Sequence, residues 1–146
     1  MADLTITAAN ILPDYSVAGL QPQIAGGTAG ETLTQGLSIY KKASDSKYYK
    51  ADNNDVTDSP VAEVATVAGV TLNSTLAGQP ISFQTGGLLA FGAILTKGTD
   101  YILSSTVGAI APIADYGSGK YNSKIGIGYS TTQMLIQIQN SGLKSA

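Results

Sequence analysis

Histidine, cysteine, tryptophan and arginine are all missing from the 146 residues. Without histidine the chain lacks the side chain that exchanges protons near neutral pH, and without cysteine it lacks the strongest protein nucleophile. Without arginine it lacks the planar fork that grips phosphate and carboxylate. These absences weigh against catalysis and favour a structural or binding protein. Charge is scarce as well: charged residues make up 12%, about half of the roughly 25% usual in soluble domains. Lysine supplies every positive charge, and Glu31 and Glu63 are the two glutamates. A surface so weakly charged gives a free monomer little mutual repulsion and suits a protein assembled against neighbours.

Other classes fall away in turn. A net charge of −2 opposes nucleic acid as a partner, because duplex binding is dominated by cations that neutralise phosphates. The start, MADLTITAANILP, carries Asp3 where a signal peptide needs positive charge. No run approaches the ~20 apolar residues of a membrane span. Synthesis and folding in a cytoplasm, with no membrane contact, is the expectation.

What is present is strand and turn. Glycine, threonine, serine, alanine and valine are abundant, and one domain of this length buries enough surface to need neither disulfide nor metal. Leu4, Ile6 and Ala8 alternate with Thr5, Thr7 and Ala9, which predicts an extended segment with one buried face. Pro13, Pro22 and the run Gly26 to Gly30 then break the pattern, so residues 1–36 read as an extended arm or long loop. Residues 37–146 read as a compact β-barrel domain. LSIYKKA and KYYKAD around Ser44-Asp45-Ser46 predict a hairpin. VAEVATVAGVTL predicts a strand, although Val61, Val64, Val67 and Val70 also share one helical face. ISFQT, a turn at Gly86-Gly87, LLAFGAIL, YILSST, AIAPIA, IGIGYS and QMLIQIQ follow. In the last of these Met134, Ile136 and Ile138 alternate with Leu135, Gln137 and Gln139. The expected fold is all-β, a small antiparallel β-barrel or sandwich with an extended N-terminal arm.

Candidate chemistry is sparse. Ser118 with Lys120, or Ser104 with Lys97, could form a hydrolytic dyad, but as turn residues they need no such role. Asp52, Asn54, Asp58 and Glu63 sit at spacings of a calcium loop, yet Val56 cannot ligate through its side chain and Thr57 replaces the sharp-turn glycine. GGTAGET puts Glu31 where a phosphate-cradling loop needs lysine. Asn73-Ser74-Thr75 spells a glycosylation sequon without a secretory signal. No cofactor or metal is therefore expected. The concentrated feature is Lys41, Lys42, Lys47 and Lys50 among Tyr40, Tyr48 and Tyr49. Such a patch suits docking to an acidic surface, since tyrosine is enriched at interfaces, or is simply a hairpin whose lysine stems cover apolar surface.

The stretch from Ala77 to Gly142, with its AGQ strand, KGT-D-Y-ILS and G-AIAP segments and paired glycine-rich strands, resembles the C-terminal half of the decoration or cement proteins of tailed-phage heads. MADLTITAANILP and LSIYKKASDSKYYKAD resemble the start and middle of that family. The resemblance implies an all-β domain on the capsid exterior of a virion, homotrimeric, partnered by the major capsid protein where shell subunits meet. It thereby implies a non-enzymatic role in stabilising the shell. The arm would reach a neighbour by adding a strand to its sheet. The candidate contact residues are Leu4, Ile6 and Tyr15 in the arm and Tyr40, Lys41, Lys42, Tyr48 and Tyr49 in the patch. The alternative is a head-fibre, tail-fibre or adhesin module that binds a receptor or carbohydrate, with tyrosines and amides lining the site.

Overall fold

Short apolar runs separated by glycine and polar turns leave little room for helix, and the computed structural model of the chain contains none of seven residues or more among the residues it describes. It describes residues 3–53, 63–117 and 119–144. Among these residues ten strands form one antiparallel sheet: β1 (Leu12–Pro13), β2 (Gln23–Thr28), β3 (Ser38–Lys41), β4 (Tyr48–Lys50), β5 (Gly69–Thr71), β6 (Pro80–Ala90), β7 (Asp100–Leu103), β8 (Ile110–Pro112), β9 (Tyr121–Gly128) and β10 (Gln133–Lys144). The order is β4-β3-β5-β6-β10-β9-β7-β8, with β1 and β2 both paired to β6 outside that path. The sheet curls into a half-barrel. Its two ends are tied together by backbone bonds from Ser38 N–H to Gly108, Gly108 N–H to Ala51 and Asn53 N–H to Ser104 (3.0, 2.7 and 3.1 Å). The all-β expectation holds.

The inside of the curl carries the main core: Tyr40, Val70, Leu89, Phe91, Leu103, Ile125, Met134 and Ile136 among others. The alternation read in β10 is real, with Met134 and Ile136 buried and Ile138 packed against the same cluster. A smaller core of Ala29, Leu33, Ile39, Ile81 and Phe83 lies on the opposite face of β3 and β6, because neighbouring residues of a strand point to opposite sides.

Three local expectations are corrected. Gly86-Gly87 does not turn the chain. Strand β6 runs through both for eleven residues, and its register against β2 shifts between Gln84 and Gly86, a bulge. Gly87 has φ +82°, and a Cβ there would lie 2.3 Å from the Gln21 carbonyl oxygen, so glycine lets two backbones cross. The Gln84 amide donates to the Gly86 and Leu88 carbonyls beside the bulge. Of VAEVATVAGVTL, Val61 and Ala62 lie outside the described residues, and only Gly69–Thr71 is strand. Val64, Ala65 and Val67 are nevertheless buried. LLAFGAIL leaves the ladder at Ala90, although Phe91 and Leu95 stay in the core.

The N-terminal segment is extended, as expected, and lies along its own barrel instead of away from it. Leu4, Ile6 and Ala8 face inward and Thr5, Thr7 and Ala9 outward, yet a single bond, Leu4 N–H to Ile110, joins this stretch to β8. Ile11 is fully buried in the main core, and Ala29 and Leu33 build the smaller one. Between them β1 and β2 pair with β6. Packing therefore does not divide at residue 36.

Candidate functional site

The lysine–tyrosine patch is the β3–β4 hairpin, in register Ile39 with Lys50, Tyr40 with Tyr49 and Lys41 with Tyr48. Its turn closes through Lys42 N–H to the Lys47 carbonyl and Ser46 N–H to the Lys42 carbonyl, both 2.8 Å. Ser46 takes φ 59°, a conformation that short polar residues tolerate. Asp45 accepts from the Lys47 N–H at 3.0 Å and from the Tyr49 hydroxyl at 2.5 Å. These bonds hold the Asp45 carboxyl below the ordinary carboxylate range, Tyr49 contributing most. The same bond raises the Tyr49 hydroxyl, since its ionisation would set two anions side by side.

Packing decides what each ring does. Tyr40 is 6% exposed and belongs to the main core. Tyr49 stands 6.0 Å from it, centroid to centroid, with the Lys42 ammonium 5.2 Å from the Tyr49 ring. On the other face Tyr48 meets Phe83 at 4.7 Å and closes the smaller core. Both exposed-looking tyrosines lie over N-terminal glycines. A Cβ on Gly27 would fall 2.3 Å from the Tyr48 ring and one on Gly30 2.2 Å from the Tyr49 ring. The Glu31 carboxylate accepts the Lys50 N–H at 2.8 Å, and Gly30 N–H donates to the Tyr48 carbonyl. The hairpin thus latches residues 27–31 to the body. Of the expected contact residues, Tyr40, Tyr48 and Tyr49 are committed to this latch and core, and Leu4 and Ile6 pack half-buried on the main core. Lys41 and Lys47 are exposed, Lys42 partly so, and Tyr15 stands 59% exposed at a different place, next to Asp14.

The remaining sequence candidates are dispersed. Ser104 is buried and donates its hydroxyl to the Asp3 carboxylate, while Lys97 is exposed and lines an open recess with Ser130. Ser118 lies outside the described residues, as do Asn54 to Asp58 of the calcium-like loop. Asn53 of that loop is fully buried, its amide donating to the Leu103 carbonyl. Among the described residues no three histidine, cysteine or carboxylate side chains gather to hold a metal. GGTAGET forms the end of β2 and the latch, with Glu31 bonded to backbone. The Asn73 amide accepts the Ser82 N–H at 2.7 Å. Among the described residues no helix is long and apolar enough to cross a membrane.

The feature missed in the sequence is the edge of β2. Gln23 to Thr28 is six residues long, carries no charge and is exposed everywhere except Gly27. Its one strand partner among the described residues is β6, apart from a bridge between Ala29 and Tyr48 beyond its end. Among the described residues no strand pairs with the second edge of β2. Gly26-Gly27 hid this strand, because glycine reads as a breaker when its real purpose is to admit the Tyr48 ring. A second site lies where β9 turns into β10. The Asp14 carboxylate accepts from the Ser16 N–H (2.9 Å) and the Gln133 amide, and the Ser130 hydroxyl donates to the Gln133 side-chain amide oxygen (3.0 Å). Hydrogen bonds from Ser16 and Gln133 hold Asp14 below the usual carboxylate range. The chain matches no protein-family model and no curated protein.

Proposed function

We propose that this chain is a non-enzymatic virion structural protein that binds the exterior of a phage capsid and stabilises the shell where its subunits meet. The observation that carries the reading is the uncharged second edge of β2, which no strand covers among the described residues. A long exposed edge is a template for pairing with another chain, and free proteins blunt such edges with lysine, proline or inward charge. Here none of the six residues does so. That edge suits a molecule whose working state has the strand covered by a neighbour, and the scarcity of surface charge points the same way. The major capsid protein is the proposed neighbour, on the resemblance of the sequence to head-decoration proteins. Binding that exists only on the assembled lattice raises the stability of that lattice by mass action. A homotrimer would multiply weak contacts into firm attachment.

The partner-binding surface moves accordingly. Residues 3–36 are held by their own barrel, so the proposed contact narrows from a free arm to the β2 edge within that segment. The test is cosedimentation of the protein with purified empty shells, alongside quantitative mass spectrometry of source particles. Occupancy in simple proportion to the shell subunit is expected, and Ile24→Lys, at a position 48% exposed, should abolish it without lowering Tm. Absence from particles overturns the whole reading; full occupancy with Ile24→Lys overturns the assignment of the edge.

A further inference from the structure

Eight tyrosines suggest sugar binding by composition, and packing sorts them. Tyr40, Tyr101 and Tyr121 are buried. Tyr48 and Tyr49 form the latch, and the Tyr116 hydroxyl donates to the Lys120 carbonyl at 2.7 Å. Tyr15 and Tyr129 keep exposed rings, at 59% and 40%. Tyr129 walls an open dish of about 520 Å³ together with Lys97, Gly98, Ile127, Gly128 and Ser130. That volume falls in the roughly 300–1,000 Å³ range of small-molecule sites.

The dish is built before any ligand arrives. Gly98 N–H donates to the Gly128 carbonyl (2.7 Å) and Gly128 N–H to the Thr99 carbonyl (2.8 Å), clamping two backbones into a floor. A Cβ on Gly128 would sit 2.1 Å from the Thr96 oxygen, whereas one on Gly98 would meet nothing within 4 Å: the floor is tight below and open above. The wall is equally fixed. Tyr129 N–H and Ser130 N–H both donate to the Gln133 carbonyl, and the Ser130 hydroxyl is held by Gln133, itself anchored to Asp14. Lys97 is exposed at the rim and forms no ion pair among the described residues. Asp100, opposite Ile127 across the ladder, is paired with Lys124 at 3.4 Å.

We propose that this dish binds an acidic saccharide, with a sugar ring lying on the Tyr129 face and its carboxylate against the Lys97 ammonium. An aromatic face and an apolar neighbour suit the C–H side of a pyranose, and the bare glycine backbone lets the ring approach closely. The Lys97 ammonium, which lines the same dish and has no ion pair among the described residues, favours an anion over a neutral sugar. Two strands, β6 and β10, separate β2 from the β9 residues of the site, so it does not depend on shell docking through β2.

The probe is a trigalacturonate, with a neutral galactotriose as control, titrated into the full chain and followed by amide NMR shifts. Binding on the order of 1 mM is expected for so open a site, with shifts centred on Gly98 and residues 127–130. Tyr129→Ala should weaken the acidic sugar about tenfold, and Tyr129→Phe should retain it. Lys97→Gln should cost about three- to tenfold for the acid and nothing for the neutral sugar, and 0.3 M salt should mimic it. Unperturbed amides at 10 mM ligand, shifts elsewhere, or full binding by Tyr129→Ala would overturn the site. Equal binding of the two sugars, or no effect of Lys97→Gln, would overturn the acidic class.

Discussion

Replacing Ile11 by alanine separates a wrapped N-terminal segment from an arm awaiting a partner. Ile11 has no exposed surface and sits in the main core, against the Gly36 backbone, where a Cβ would lie 3.1 Å from its Cγ1. Its carbonyl also accepts the Gln35 amide. Truncation removes three buried carbons and leaves a cavity, at a cost of about 2–5 kcal/mol in well-packed cores. Taking about 3 kcal/mol, and about 2–4 °C per kcal/mol for a chain of this size, Tm should fall by roughly 6–12 °C. Leu12, the next residue, is 59% exposed, and Leu12→Ala should stay within about 0.5 kcal/mol. Thermal and urea unfolding of the isolated chain, followed by far-UV circular dichroism, gives both numbers. Equal melting of the two variants would refute the argument, because it would mean residues 3–11 contribute nothing to the free fold. The same burial makes deletion of residues 1–24 a poor test of shell binding, since it removes core as well as any contact.

The latch predicts strong coupling: Gly27→Ala should cost about 1–3 kcal/mol by displacing the Tyr48 ring, and much less in a Tyr48→Ala background, as a double-mutant cycle in urea would show. Asn140 holds the Val67 N–H at 2.9 Å and the Val67 carbonyl at 3.1 Å with one side-chain amide, in the manner of a strand partner. Asn140→Ala should therefore cost about 1–2 kcal/mol, while Asn140→Asp, which keeps the acceptor, should fall between. Asp14 and Asp45 titrate below their unfolded value because hydrogen bonds favour their anions. Their contribution is present above that unfolded value and is lost as pH falls through the lowered folded ones. Stability should thus decline on acidification, and Asp14→Asn with Asp45→Asn should flatten the decline in pH-dependent melts.

Local pattern carried the fold class because most strands here are short apolar runs that end at glycine or polar turns, and the long β10 alternates, with Met134 and Ile136 inward. The β3–β4 hairpin was legible for the same reason, from Tyr-rich runs flanking Ser44-Asp45-Ser46. What escaped was decided by distant residues. Gly27 and Gly30 are glycine because of Tyr48 and Tyr49, and Gly87 because the chain at Gln21 crosses it. Each looks like a breaker from its own neighbours, so β2 and the middle of β6 read as loop and turn. The tyrosines share one hairpin, as the pattern predicts, but which face each ring takes follows from strand parity and from those glycines. Val64 and Val67 are buried without the ladder that the strand pattern predicts, because the Asn140 side chain bonds both backbone groups of Val67 there.

The β2 edge also sets a limit on how a single copy can hold a partner. A strand edge offers one N–H and one C=O at every second residue, so six residues present about six groups. At a net ~0.5–1.5 kcal/mol each they yield ~3–9 kcal/mol. Association itself costs an estimated 4–15 kcal/mol in lost freedom. Edge pairing alone therefore leaves one copy weakly bound, with Ile24 the one large exposed apolar side chain on the strand to add to it. Firm attachment then requires several edges engaged at once, through a trimer or through contacts repeated over a lattice. Occupancy of shells should accordingly be steep in concentration and lost together when one edge in each copy is charged. A dilute, isolated capsid subunit should capture almost none of the protein.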